Sequence, residues 1–344
     1  MPFHSELGAE NAYSPFAGRK LAIKLSSLTG SVIGKFYPPH RGHKHLIDFA
    51  RSRVDRLVVI VCDDPAQEIP ALLRARWLQE IHADCEIVVT PDDLPNAPEP
   101  WAARTIEILG RAPDYVFTSE GYGPGYAAAM GSNHVMVDQE RVSVPISATQ
   151  VRADPSAASE FLEPCVRAWF VPRVVLVGAE STGKTTLAQK LAEQFGVPWV
   201  PEYGREFCEV NLPGDDFWKT EHFVHIAEEQ QRREDLAARQ FPPFLVCDTN
   251  AWATGTWHER YMGFRSPEVD AIGLLDSARL YLVPDTNVPF VQDGLRDGEK
   301  IREWMHIHFV EQLTLTKKRF EIVNGGNEVR FNQARAAVSA LFTK

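Results

Sequence analysis

Residues Val174–Thr186 read VVLVGAESTGKTT. A β-branched apolar run ends at Gly178. Gly183-Lys184-Thr185 then opens LAQKLAEQF, whose apolar residues recur at helical spacing. The pattern is G-x-x-x-x-G-K-[ST] between a strand and a helix. Its glycines let backbone N–H groups turn inward around phosphate oxygens, and the following helix adds its positive N-terminal end. Lys184 is then placed for the β- and γ-phosphates of ATP and Thr185 for Mg²⁺. Gly178, Glu180, Ser181, Thr182, Gly183 and Thr186 complete the ATP-binding loop. This loop begins near the middle of the chain, so a unit of similar size precedes it.

Bulk properties agree with two soluble units. A length of 344 residues suits two domains, and 44% hydrophobic with 24% charged residues is ordinary for a globular protein. A net charge of -10 excludes a general nucleic-acid or anionic-membrane binder, but not small phosphorylated ligands held in a local basic pocket. The five cysteines (Cys62, Cys85, Cys165, Cys208, Cys247) are scattered and form no C-x-x-C, which predicts neither a disulfide framework nor a zinc site. Cys62 and Cys247 lie in apolar strand-like runs and read as core. Met1–Ala22 has no basic segment followed by an apolar one, and no segment approaches the roughly 20 apolar residues of a membrane span. A cytoplasmic location is expected. Oligomeric state is open, with a homo-oligomer among the options.

Toward the N-terminus, Met1 to about Thr29 has no sustained periodicity and reads as a tail or an extra edge element. It is too short and irregular for a helix-turn-helix. Ser31–His43, SVIGKFYPPHRGH, followed by KHLIDFARSRVDRLVVIVCDD, reads strand, Gly-led turn, helix, strand: a βαβ unit. His40 and His43 bracket Arg41-Gly42 at a helix start, where anions are favoured. Pro38 and Pro39 stiffen the approach to that helix. RARWLQEIHA, CEIVVTPDD, EPWAARTIEILGRA, PDYVFTSEGYG and HVMVDQE then read helix, strand, helix, strand plus turn, and strand. That alternation predicts a doubly wound parallel sheet, with ligands beyond the carboxyl ends of its strands. ISATQVR follows at Ile146–Arg152; Ser147 and Thr149 offer hydroxyls at a helix start, or simply cap it, and Arg152 offers a charged fork. Ala153–Val171 reads as one helix interrupted by Pro164 and joining the halves, with the boundary near Phe170.

The stretch GKFYPPHRGH resembles the G-x-F-x-P-x-H-x-G-H signature of the nucleotidylyltransferase superfamily, and ISATQVR its I-S-x-T-x-x-R motif. The resemblance implies that His40 and His43 contact ATP phosphates and stabilise a pentacoordinate transition state, without a covalent nucleophile. It likewise implies that Arg152 orients ATP and that Gly34, Lys35, Phe36, Gly42, Ser147 and Thr149 line the nucleotide site. Ser119 and Glu120 match the superfamily's nucleotide-contacting loop after the fourth strand. By resemblance to nicotinamide mononucleotide adenylyltransferases, Trp101 stacks on the nicotinamide ring; ordinary core packing is the other reading.

Beyond the phosphate loop, Gly196 is a helix stop, and VPWVPEYGREF gives a short strand delivering Glu202, Tyr203, Arg205 and Glu206 to its end. A carboxylate there is placed near an acceptor hydroxyl; a salt-bridged Arg–Glu cluster is the other reading. FWKTEHFVHIAEEQQRREDLAARQ is a long amphipathic helix whose charges read as a solvated face. PPFLVCDTN is a buried strand ending in Asp248, which holds Mg²⁺ through water or binds the acceptor directly. Trp252, Trp257 and Tyr261 follow on a helix, at least two of them as core. ARLYLVPD ends at Asp285, and the Gly-flanked segment Asp293–Arg302 brings Arg296 and Arg302 as a lid over the triphosphate, or stands as a charged surface turn. FEIVNGG and a final helix, EVRFNQARAAVSALF, close the chain.

Taken in order, GKFYPPHRGH, VFTSE, ISATQVR, GAESTGKTT, EYGREF, the CDT strand end and DGLRDG resemble the bifunctional nicotinamide-nucleotide adenylyltransferase/ribosylnicotinamide kinase (NadR-like) family, from about Gly30 onward. The fold expected is α/β with two doubly wound parallel-sheet domains: residues 30–170 a Rossmann-like nucleotidylyltransferase, residues 171–344 a P-loop kinase, residues 1–29 outside both. The resemblance implies phosphorylation of nicotinamide riboside to NMN and adenylyl transfer from ATP to NMN, giving NAD and pyrophosphate. Glu202 or Asp248 then takes or orients the proton of the acceptor hydroxyl, with Tyr203 and Arg205 beside the riboside. ATP is co-substrate and Mg²⁺ the metal. Some relatives repress genes through an N-terminal helix-turn-helix, a role not expected of this chain. Two further readings stand: a sensor that binds ATP and NAD with little turnover, or the same chemistry on another nucleoside or a pantetheine-like acceptor.

Overall fold

The computed structural model describes residues 27–211, 217–291 and 299–343. Its first half alternates strands and helices: β1 (Thr29–Gly34), α1 (Arg41–Arg51), β2 (Arg56–Asp63), α2 (Ala71–Ile81), β3 (Glu86–Pro91), α3 (Pro98–Leu109), β4 (Tyr115–Thr118), α4 (Gly123–Met130) and β5 (Asn133–Met136). All pairings are parallel, in the order β3-β2-β1-β4-β5. The order reverses at β1, so the crevice beyond β1 and β4 is the switch point where such sheets bind ligands. The β-branched runs of β1 and β2 are buried on both faces by helices: Val32, Val59 and Val61 face one apolar cluster, Val58 and Ile60 another.

A second five-stranded sheet follows, also parallel, in the order β10-β9-β6-β8-β7. It comprises β6 (Arg173–Leu176), α7 (Lys184–Phe195), β7 (Trp199–Val200), α8 (Tyr203–Asn211), α9 (Thr220–Ala238), β8 (Leu245–Asp248), α10 (Ala251–Met262), α11 (Pro267–Gly273), β9 (Ala278–Pro284), α12 (Arg302–Leu315), β10 (Phe320–Val323) and α13 (Asn327–Phe342). Its central strand β6 is buried throughout and feeds the glycine-rich loop into α7. Gly196 ends α7 at φ 63°, a left-handed cap that its missing Cβ permits. Cys62 and Cys247 are core residues, as their surroundings in the sequence indicated.

Between the sheets the sequence expectation needs correction. Ala153–Val171 is not one interrupted helix. A short helix, α5 (Ala148–Ala153), stops at Asp154, and α6 (Pro164–Trp169) starts afresh. Asp154 precedes a proline, which disfavours helical backbone there, and its side chain accepts the N–H of Ala157 at 2.9 Å. Pro164 sits in the first turn of α6, where its missing N–H costs nothing. Trp77 of α2 and Trp169 of α6 meet edge to face at 6.2 Å in the cluster that also holds Ile146 and Val151. The Arg239 guanidinium at the end of α9 forks onto the Glu80 carboxylate of α2, both bonds 2.7 Å, tying the two halves together. Among the described residues no helix is long and apolar enough to cross a membrane.

Candidate active sites

The first cleft opens at the carboxyl ends of β1 and β4, a cavity of about 1030 Å³. His40 is the N-cap of α1; its Nδ1 accepts the N–H of Gly42 at 3.1 Å. His43 Nδ1 in turn accepts the N–H of His40 at 3.3 Å. The two rings stack with centroids 3.9 Å apart, and Phe36 sits edge-on to His43 at 5.0 Å. Because each Nδ1 is an acceptor, each neutral ring carries its proton on Nε2. Burial lowers both imidazole pKa values, His40 to about 4, with the Arg141 cation adding to the effect. The pair is therefore two neutral N–H donors fixed at a helix N-terminus. Gly42 is required for that stacking: a Cβ there would lie 2.9 Å from His40 Cε1.

The other residues named from sequence for this cleft all line it: Gly34, Lys35, Phe36, Trp101, Ser119, Glu120, Ser147, Thr149 and Arg152. Lys35 Nζ is 2.8 Å from Asp92, which holds its ammonium pKa above the usual lysine value. Glu120 pairs with Arg141 at 3.2 Å. The Ser147 hydroxyl is engaged in capping, accepting from Gln150 N–H at 3.2 Å while the Gln150 side chain accepts from Ser147 N–H at 2.8 Å. Arg152 lies over the Tyr37 ring at 4.8 Å, donates to the Tyr37 carbonyl at 2.5 Å and to Thr149 Oγ1 at 3.2 Å. Trp101 is half-buried beside Ala102 and Tyr126 while also lining the cleft, so both sequence readings describe part of its surface.

The second cleft is smaller, about 180 Å³, and lies between the glycine-rich loop, α8, α9 and α10. Glu180, Ser181, Thr182, Gly183, Lys184, Thr185 and Thr186 line it together with Glu202 and Arg205. Gly178 at φ 135° and Gly183 at φ 83° occupy backbone regions that suit glycine. Lys184 Nζ donates to the carbonyls of Gly178 and Ala179 at 3.0 and 2.9 Å. Glu180 is paired with Arg260 at 3.0 Å, and that guanidinium lies 5.3 Å from the Trp257 ring and 4.6 Å from Tyr261. The loop's acidic residue is thus neutralised by Arg260, whose guanidinium lies against the aromatic wall of the cleft. Arg302 donates to the Ser181 carbonyl at 3.2 Å. Arg296 lies outside the described residues.

Glu202 and Asp248 occupy different positions. Glu202 lines the cleft, and desolvation raises its carboxyl to about 7, with the Asp248 charge adding and Lys184 opposing. Asp248, 1% exposed, ends β8; burial raises its pKa, while the Lys184 charge and the nearby Thr185 hydroxyl oppose that rise. Asp248 Oδ1 is buried without a hydrogen-bond partner. An orphaned carboxylate oxygen beside a threonine hydroxyl fits Mg²⁺, which needs one or two protein ligands because phosphates and water supply the rest. Among the described residues no cluster of three or more His, Cys, Asp or Glu offers a dedicated metal cage. Tyr203 is not among the lining residues; its hydroxyl bonds His225 Nε2 at 2.8 Å on α9.

Helix α9 is more than the solvated charged face read from sequence. Phe223, Ile226 and Gln230 line the second cleft, and Gln230 accepts the Tyr203 N–H at 3.0 Å. Trp218, Trp257 and Tyr261 also line it, and Trp252 packs in the core. Sequence reading passed over Trp218, Arg74, Arg141 and Arg330, none of which lies in a recognisable motif. The aromatic pair at 217–218 was the available signal for the first.

Two family models match the chain: one described as cytidylyltransferase-like over residues 31–154, and one described as an AAA domain over residues 173–330. The "Trifunctional NAD biosynthesis/regulator protein NadR" of Escherichia coli (strain K12) is 32% identical over 295 residues, covering 78% of this chain and 71% of that protein. Its counterpart of the same name from Salmonella typhimurium matches with the same identity and coverage. Among solved structures, NadR protein in complex with NR superposes with a TM-score of 0.56 at 23% identity, covering 91% of this chain and 96% of the other. NadR protein in complex with NAD and AMP-PNP gives a TM-score of 0.56 at 24% identity, covering 92% and 97%. Two parallel α/β sheets and relatives 32% identical over 71% of their own length lead to one conclusion: the chain belongs to the NadR family.

Proposed function

We propose that this protein runs two ATP-dependent transfers in separate clefts: phosphorylation of nicotinamide riboside to NMN in the second, and adenylyl transfer to NMN in the first. The observation that carries the reading is that each parallel sheet ends, at its own switch point, in a loop and helix start built for phosphate. The NadR relatives' role in NAD biosynthesis and the NR, NAD and AMP-PNP complexes of similar structures supply the substrate class.

In the first cleft the mononucleotide phosphate attacks the α-phosphorus of ATP in line, breaking the α–β phosphoanhydride bond and releasing pyrophosphate. Nε2–H of His40 and His43 and the Arg152 guanidinium take up the charge that grows on the triphosphate oxygens; Lys35, Ser119, Glu120 and Thr149 shape the site, and Trp101 offers a flat surface to the pyridine ring. No side chain forms a covalent bond. In the second cleft Glu202 accepts the hydrogen bond of the acceptor hydroxyl and its proton as the oxygen attacks, while Lys184 and Arg302 balance the γ-phosphoryl charge. Thr185 and Asp248 would hold Mg²⁺, which supplies further neutralisation when bound. Arg205 and the Trp257–Tyr261 wall border the acceptor. Division of the chain into 1–29, 30–170 and 171–344 belongs to this proposal, supported by the end of α6 at Trp169 and the start of β6 at Arg173. A cytoplasmic location belongs to it as well.

Incubation with nicotinamide riboside, ATP and Mg²⁺, following ADP, NMN and NAD together, tests the reading. ADP and NMN should rise first and NAD follow. Phosphorylation of a different nucleoside with nicotinamide riboside untouched would replace the substrate, and binding of ATP and NAD without products would favour a sensor.

A further inference from the structure

Each half contains a buried arginine that forms no ion pair among the described residues. Arg74 of α2 is 0% exposed and Arg330 of α13 is 4% exposed. A guanidinium withdrawn from water without a carboxylate is costly, and it is tolerated where its donors find other acceptors. Here the acceptors are main-chain carbonyls, joined for Arg330 by the side-chain oxygen of Asn287, while Arg74 Nη2 is buried without a partner. Arg74 donates through Nη1 to the Lys35 carbonyl and through Nε to that of Ile69 at 3.0 Å. Arg330 donates to the carbonyls of Thr182, Asp285 and Gly325, each at 2.8 Å.

The two halves share a further detail. Lys35 and Thr182 both lie in a phosphate loop, and each precedes a residue with left-handed backbone: Phe36 at φ 46° and Gly183 at φ 83°. For Phe36, a bulky side chain, that conformation is strained and persists only where the surroundings enforce it. A trans peptide carries its C=O and N–H on opposite sides. Drawing the Lys35 carbonyl back to Arg74 therefore turns the Phe36 N–H away from that arginine, and drawing the Thr182 carbonyl to Arg330 does the same for Gly183.

We propose that Arg74 and Arg330 are positioning residues for the two transfers, each pinning one loop carbonyl so that the next N–H faces the triphosphate and leaving a positive charge behind the loop. Neither touches substrate. The inference rests on the reading that both clefts bind ATP.

The test uses the full chain with Arg74→Met and Arg330→Met, and with Arg74→Lys and Arg330→Lys, each assayed for both reactions. In Arg74→Met the KM for ATP in adenylyl transfer and the inhibition constant of inorganic pyrophosphate should both rise about tenfold or more, the loss of a charged hydrogen bond network. The KM for NMN and the kinase reaction should stay within about twofold, and that kinase activity also reports a folded chain. Arg330→Met should mirror this, with ATP and ADP weakened in the kinase alone. The lysine variants, which keep a charge and a donor, should recover part of each loss. Unchanged ATP and pyrophosphate constants in Arg74→Met, or equal falls in both reactions, would overturn the inference. Should a methionine variant not fold, its lysine counterpart decides: an intermediate weakening supports the inference and wild-type constants overturn it. A wild-type chain with neither activity would refute the functional reading instead. Calorimetric titration of AMP-PNP would then decide the inference: loss of one binding site in each variant supports it, and two sites of unchanged affinity overturn it.

Discussion

At the scale of single residues, Glu202 is the group whose chemistry the pH axis reads most directly. Its carboxyl, raised to about 7, is protonated in mild acid and ionised above neutrality. A protonated Glu202 cannot accept the acceptor's hydrogen. Kinase kcat/KM should therefore rise from pH 6 to pH 8 and level off, and Glu202→Gln should remove that rise and cost about 10² in kcat. A wild-type profile flat through pH 7 would show that Glu202 does not act on the reacting hydroxyl. The histidine pair differs, because burial holds His40 near 4 and adenylyl transfer meets no imidazole titration at neutral pH. Gly42 serves that pair by its lack of a side chain. Gly42→Ala would push against the His40 ring at 2.9 Å, and adenylyl transfer should fall at least about tenfold with the kinase unaffected. Equal adenylyl rates in the variant and wild type would remove the stacked geometry from the account.

At the scale of elements, short helices place the charged groups. Helix α5 carries Arg152 and is held by the Ser147–Gln150 capping box. Ser147→Ala should cost about 1 kcal/mol of local stability and raise the KM for ATP in adenylyl transfer a few-fold, with a small drop in melting temperature. A kcat change with KM for ATP intact would assign Ser147 to the reacting phosphates instead. Elements were legible where their signals were contiguous. GKFYPPHRGH and GAESTGKTT each write strand, loop and helix within one stretch, so both phosphate loops were visible. Proline punctuation misled between the sheets: Pro164 begins a helix rather than interrupting one, and Asp154 before Pro155 had already ended the one before. Helix α4 starts GPGYAAAM, whose first residues spell a turn, and the sequence reading gave it no helix.

At the scale of the molecule, one arrangement occurs twice: a parallel sheet, a loop leading from a central strand into a helix N-terminus, and a buried arginine bonded to a carbonyl of that loop. The contacts that complete it are distant in sequence, which is why motif reading missed them. Arg74 reaches back to Lys35, Arg330 to Thr182, and α9 supplies Phe223 and Gln230 to the cleft that Glu202 also lines. No local pattern marks a residue whose role is to hold a carbonyl far along the chain. In the proposed reading the clefts are chemically separate, one cutting ATP at its γ-phosphoryl and the other at its α-phosphorus. That separation is the central claim, and product analysis of two single variants fed nicotinamide riboside and, separately, NMN tests it most directly. His43→Ala should accumulate NMN and form no NAD; Lys184→Ala should form no NMN from the riboside yet still convert supplied NMN to NAD. A folded variant of either kind that loses both conversions would contradict the account.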